Sequence, residues 1–310
     1  MTLKLKLSEN SVFAVWPYAL LTLSMLFFAS NHILGRLVPG EVPPIGLSFW
    51  RWIVAMLILL PFTWKGLVEN APLIRAHWKL FLQLTVSLVI LGNTTVYVAL
   101  QYTTAINAGM VAMAQPAMTI LLTWILFKET VTRSQTLGAV IAGAGVMVVI
   151  LRGDLQALAD VRFNIGDVWM VVSVFGFTTY AVYLRKLPKG LPPLLMLNII
   201  QILGIFVLTP FYLWETVYVL PMEVNQTTVI AVLWAGIIVA IAAMLFWNMG
   251  NQAVGANKAS AFVYLRLLMI TVLAMVILGE KLALYHAPSF ALIIVGVYLV
   301  SKAKRPPQED

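Results

Sequence analysis

The apolar positions of this chain fall in long, nearly unbroken runs, and its polar positions gather in short breaks between them. Period-two alternation, which marks a half-buried strand, is missing. The runs are also too uniformly apolar for the one-sided stripe of a soluble helix. Crossing a bilayer takes about 20 mostly apolar residues in a helix. Read against that length, the pattern predicts ten membrane-spanning helices, roughly over 14–35, 45–65, 78–99, 104–127, 134–151, 166–185, 192–214, 227–250, 256–278 and 284–302. The expected fold class is therefore an all-α polytopic membrane protein.

Composition agrees. Of the 310 residues 61% are hydrophobic and 10% charged, with a mean hydropathy of +0.94; a soluble domain carries about 25% charged residues. The net charge of +8 invites a nucleic-acid partner, but its distribution excludes one. With the N-terminus placed in the cytoplasm, fourteen Lys and Arg fall inside and four (Arg36, Arg152, Arg162, Lys281) outside. That asymmetry is the positive-inside rule, with both termini cytoplasmic. Lys4 and Lys6 ahead of the first apolar run resemble a signal peptide, yet the run is too long, so an uncleaved first helix is expected.

The breaks repeat. At a shift of 149, Arg36 meets Arg185, Pro39 meets Pro188, Pro43-Pro44 meets Pro192-Pro193, and Pro61-Phe62 meets Pro210-Phe211. At 150, Tyr97 meets Trp247, Gln101 meets Asn251 and Asn107 meets Asn257. At 151, Glu129 meets Glu280 and Gly145 meets Gly296. The chain thus divides into two five-helix units, 14–152 and 166–302. An odd helix count starts the second unit on the opposite side of the bilayer. The expectation is two inverted five-helix repeats around a central cavity, a construction common in secondary transporters.

With Glu129 and Glu280 closing the fourth and ninth helices and double prolines opening the second and seventh, the pattern resembles the EamA-type ten-helix branch of the drug/metabolite transporter superfamily. The stretches SNHILGR (30–36), LSFWRW (47–52) and GNTTVYVALQYT (92–103) carry a narrower likeness, to the exporters of aromatic amino acids within that branch. The resemblance implies alternating access through a central cavity lined mainly by helices 1, 3, 4, 6, 8 and 9. It also implies outward movement of amino acids and related small metabolites across a bacterial inner membrane.

Candidate substrate-binding residues follow from polarity at depth. Arg266 lies 14 residues before Glu280, about 21 Å along a helix. If Glu280 sits among headgroups, Arg266 sits near the bilayer centre, where a charge is costly and usually functional. It can receive a substrate carboxylate, or it can be structural, bonded to backbone carbonyls or water. At the 151 shift its counterpart is Gln115, beside Pro116, a helix-bending residue. Asn31 is a candidate for the substrate's ammonium group, or for another helix. Tyr97, Tyr180, Trp247 and Tyr264 lie on helices expected to line the cavity and would make aromatic walls for flat apolar side chains; core packing is the alternative for each.

Other features point to framework. Glu129 and Glu280 read as helix-end anchors, and Asp167 as a negative charge at a helix start. Gly138, Ala142 and Gly145 permit a close helix contact, either within the bundle or across a dimer face; monomer and homodimer both stay open. No metal or cofactor is expected: cysteine is absent, and His32, His77 and His286 stand in separate segments. No hydrolase, zincin or phosphate-loop motif occurs, so catalysis is not expected. Helix 1 carries no carboxylate between Phe13 and Gly35, and all twelve acidic residues read as lying at span ends, in loops or in tails. Transport by facilitated diffusion is therefore expected. A membrane-embedded lipid-modifying enzyme and a non-transporting scaffold are the alternatives from other classes.

Overall fold

Proline or a capping side chain opens several of the helices. The computed structural model describes residues 11–128, 130–154, 164–188, 190–254 and 256–302, and these are all-helical, with no strand among them. In chain order the helices are α1 (Ser11–Leu37), α2 (Pro44–Glu69), α3 (Trp78–Tyr102), α4 in two limbs (Ala105–Ala112 and Gln115–Phe127), α5 (Arg133–Ile150), α6 (Ile165–Tyr183), α7 (Pro193–Tyr218), α8 (226–254), α9 (Ala256–Ile277) and α10 (His286–Lys302).

Helices α2 and α7 are built alike. Each is 26 residues long, starts on a proline preceded by an extended proline, and holds one internal proline, Pro61 or Pro210. Proline suits the first helical position because its missing N–H would be unpaired there anyway. The two helices pack on one another, and the α2 start is capped from α7: Glu215, 3% exposed, accepts from Ile45 N at 3.1 Å and Gly46 N at 2.7 Å. Glu280 does the same for α4, accepting from Ala105 N at 2.8 Å and Ile106 N at 3.1 Å. A carboxylate suits the positive end of a helix dipole and pairs N–H groups that have no partner within the helix. Glu280 is thus a cap reaching from one half of the chain to the other; Glu129 lies outside the described residues.

The residues just before those two glutamates also match. Lys128 and Gly279 both adopt the left-handed conformation, with φ of 57° and 65°, which turns the chain out of α4 and α9. Helices α3 and α8 share a rarer feature: each is π-helical in its middle, over Val86–Thr94 and Trp234–Ala243. Within the first segment Asn93 Nδ2 and Thr94 Oγ1 donate to carbonyls five residues back, on Leu88 and Val89, both at 2.8 Å.

Seven helices (α1, α2, α3, α5, α6, α7 and α8) are long and apolar enough to cross a membrane, and the 42° bend between the limbs of α4 makes an eighth if the pair is one span. The later apolar stretches, Tyr264–Ile277 on α9 and His286–Val300 on α10, are shorter. Seven or eight such spans among the described residues fall short of the ten expected.

Two of the hydrophobic clusters are the largest. One joins α1, α3, the first limb of α4, α5, α6, α9 and α10; the other joins α2, α3, α6, α7 and α8. Glycine allows the closest approaches. A Cβ on Gly176 of α6 would lie 2.5 Å from Gly92 N in the π-helical part of α3. A Cβ on Gly138 of α5 would lie 2.5 Å from Gly296 O on α10. The small residues Gly138, Ala142 and Gly145 therefore serve an intramolecular contact with α10.

Candidate substrate site

A largely buried polar group joins α1, α2 and α3. Arg51, 1% exposed, donates from Nη1 to Tyr97 OH and from Nη2 to Asn93 Oδ1, each at 2.6 Å. Tyr97 OH in turn donates to Asn31 Oδ1 at 2.6 Å. The guanidinium carbon lies 4.4 Å from the centroid of the Trp52 ring. One turn back along α2, Ser48 Oγ is 2.8 Å from Thr94 Oγ1. Residues 48 and 51 of α2 share a face, so that face is zipped to residues 93, 94 and 97 of α3. Two predicted site residues, Asn31 and Tyr97, thus belong to one network, and its charged centre is a residue that sequence reasoning passed over. The signal was present: Arg51 lies inside a predicted span, and the test applied to Arg266 applies equally to it.

Arg266 is half-buried on α9, within electrostatic reach of the buried His32 on α1. His32 Nδ1 donates to Phe28 O at 3.3 Å, and its Nε2 is buried with no partner. Consecutive residues of α1 therefore face the two arginines, Asn31 toward Arg51 and His32 toward Arg266. Gln115 opens the second limb of α4 and is half-buried; no hydrogen bond joins it to Arg266 among the described residues. Tyr180 packs in the α2–α3–α7–α8 cluster with Trp52 and Leu88. Trp247 is half-buried on α8.

Tyr264, 43% exposed, lines a cavity of about 790 Å³ between α9, α10 and the first limb of α4. Ile106, Met110, Leu267, His286 and Phe290 are among its other walls, and it is mainly apolar. Of the expected substrate-binding residues only Tyr264 borders this cavity.

Behind the cavity wall lies a second buried network. Asp167, 0% exposed at the start of α6, accepts from Thr103 Oγ1 and, at 3.4 Å, from Asn107 Nδ2. Asn107 Oδ1 accepts from Tyr285 OH at 3.2 Å and is 2.8 Å from His286 Nε2. Ala283 N donates to His286 Nδ1 at 2.9 Å, so the neutral ring carries its proton on Nε2 and gives it to Asn107. Arg152 acts on Asp167 electrostatically. Asp167 is at a span end as expected, but it is buried rather than solvated.

The EamA-like transporter family matches the chain twice, over residues 15–151 and 164–302. An uncharacterized transporter of Archaeoglobus fulgidus is 28% identical over 286 residues, covering 92% of this chain and 96% of that protein. The uncharacterized transporter YyaM of Bacillus subtilis is 24% identical over 294 residues, covering 94% and 95%. A WAT1-related protein of Arabidopsis thaliana is 21% identical, covering 92% and 83%. A solved crystal structure at 18% identity superposes with a TM-score of 0.57 over 90% of this chain and 94% of its own, which speaks to fold alone.

Proposed function

The chain belongs to the EamA-like transporter family, and on that premise we propose that it exports amino acids, aromatic and other amphipathic ones, together with related small metabolites. As a multi-pass membrane protein it would work by alternating access in a bacterial inner membrane, both termini cytoplasmic. Its ten helices would form two inverted five-helix units, 14–152 and 166–302. The matched lengths and prolines of α2 and α7, the π-helical segments of α3 and α8, and the left-handed residues at 128 and 279 support that pairing. The narrower likeness, to the aromatic amino acid exporter YddG, rests on the stretches 30–36, 47–52 and 92–103, which hold Asn31, Arg51 and Tyr97.

One observation carries the substrate reading. Arg266 sits ten residues into α9, half-buried, and pairs with no acidic side chain among the described residues. An amino acid leaving water keeps its carboxylate charged only if a fixed donor replaces the lost hydration. Arg266 supplies that donor. The ammonium group takes carbonyl and amide oxygens, Asn31 among them, and the rings of Tyr97, Tyr180, Trp247 and Tyr264 accept the side chain. The substrate's own gradient drives the movement.

The test is uptake into proteoliposomes of phenylalanine and of phenylalanine amide, by wild type and Arg266→Gln. A charged hydrogen bond contributes about 1.5–3 kcal/mol, so the variant should lose roughly ten- to a hundredfold on the acid and less on the amide. Equal losses on both, or none, would assign Arg266 to the framework.

A further inference from the structure

A guanidinium stays charged at every pH a protein meets, so the burial of Arg51 is the burial of a charge. Among the described residues no carboxylate pairs with it; both Nη nitrogens go to neutral acceptors, Tyr97 OH and Asn93 Oδ1. Its Nε is buried with no acceptor, and so is Nε1 of the adjacent Trp52. Buried donors of this kind are costly and rare. The guanidinium lies over the Trp52 ring at 4.4 Å, which brings a full positive charge, two unmatched N–H donors and an aromatic face into one small region.

That combination fits a carboxylate. Its two oxygens match the planar fork of a guanidinium better than any neutral group does, and the Trp52 and Tyr97 rings stand beside it on α2 and α3. We propose that Arg51 and Trp52 form a carboxylate-binding position between α1, α2 and α3, distinct from Arg266 and suited to small aryl carboxylates. The means of access is in α3. Asn93 lies in its π-helical segment and Tyr97 one turn beyond, so the residues that occupy Arg51 are attached to a stretch with one residue more per turn-closing bond than an α-helix. Moving that extra residue along α3 rotates Asn93 and Tyr97 about the helix axis and frees both Nη nitrogens without unfolding the span. On its other side α2 packs against the π-helical segment of α8, where a Cβ on Gly236 would lie 3.0 Å from Arg51 O. The helix carrying the arginine is thus flanked by both irregular segments. This assignment does not depend on what Arg266 contacts.

Binding of phenylacetate and of its neutral counterpart phenylacetamide to the full-length protein in nanodiscs tests it, by calorimetry and by tryptophan emission. Wild type should bind phenylacetate saturably and phenylacetamide at least about tenfold more weakly. Arg51→Gln should weaken phenylacetate about ten- to a hundredfold, Arg51→Lys less. Trp52→Phe should abolish most of the emission change. Should Arg51→Gln fail to fold, Asn93→Ala, which keeps the charge and releases one Nη, should tighten phenylacetate. The assignment is overturned if phenylacetate does not bind, if acid and amide bind alike, if Arg51→Gln binds as wild type, or if Asn93→Ala fails to tighten.

Discussion

Replacing Gly296 by alanine should prise α10 away from α5. The added Cβ would lie 2.5 Å from both Ala142 N and Gly138 O and 2.8 Å from Ala142 Cβ, where ordinary contact begins at 3.4 Å. The obstacles are backbone atoms of a helix, so no side chain can swing aside. The two axes must separate by about 1 Å, and a gap of that size forfeits a quarter to a half of each van der Waals contact along the seam. Gly145 against Ile293 and Gly138 against Leu299 loosen with it, as do the bonds Ser289 Oγ to Gly145 O at 2.7 Å and Ser134 Oγ to Leu299 O at 3.1 Å. Lipid is as apolar as the helix face, so no hydrophobic drive restores the contact. The cost should reach the top of the overpacking range, about 3 kcal/mol. At about 2 °C per kcal/mol, the melting temperature in detergent should fall by roughly 6 °C. Gly143→Ala on the facing helix α5 is the control: a Cβ there meets nothing within 4 Å, so it should be neutral or stabilising by about 0.5–1 kcal/mol. Light scattering after size exclusion reports whether the assembly changes. A Gly296→Ala protein that melts like wild type but loses a subunit would mean that the small-residue face is an oligomer contact. The packing argument would equally fail if Gly143→Ala melted as low as Gly296→Ala.

Lys128 holds a left-handed conformation, with φ of 57°, that costs a residue with a side chain about 1 kcal/mol. Lys128→Gly should therefore raise the melting temperature by roughly 2 °C, and no gain would mean that the lysine side chain offsets the strain. Asp167 is buried in hydrogen bonds from Thr103 and Asn107, so it is the place to test the expectation of facilitated diffusion. An imposed pH gradient should drive no uphill phenylalanine accumulation in proteoliposomes of wild type or of Asp167→Asn. Accumulation by wild type that Asp167→Asn abolishes would make Asp167 the proton carrier.

Helix positions were legible because few residue types can end a membrane helix. The prolines at 43–44 and 192–193 start α2 and α7 at the expected places, and their matched spacing pointed to two helices of one design. The glutamate that follows α9 read as an anchor, and it is one, although its partner, the first turn of α4, lies some 175 residues back in the chain. The π-helical segments were not legible. They shift the register by a single residue inside long runs that carry no one-sided apolar stripe, so no periodicity betrays them. Arg51 was legible only as a charge inside an apolar run; nothing in the run marks Asn93 and Tyr97 as its partners.

The sequence by itself determined that the chain enters a membrane, roughly where each helix starts and stops, and that its second half repeats the first. Those properties depend on one residue at a time, or on a short stretch, because leaving water is a matter of composition and ending a helix a matter of local backbone chemistry. Only the tertiary structure decided which faces meet. Arg51 finds Asn93 and Tyr97 42 and 46 positions away, Asp167 finds Asn107 60 away, and Asn107 finds His286 179 away. The Gly138 face finds α10. In a bilayer, lipid and neighbouring helix are nearly equal as apolar surroundings, so hydrophobicity cannot choose a partner. Close fit of small residues and pairing of buried donors with acceptors make that choice, and both are properties of two surfaces together.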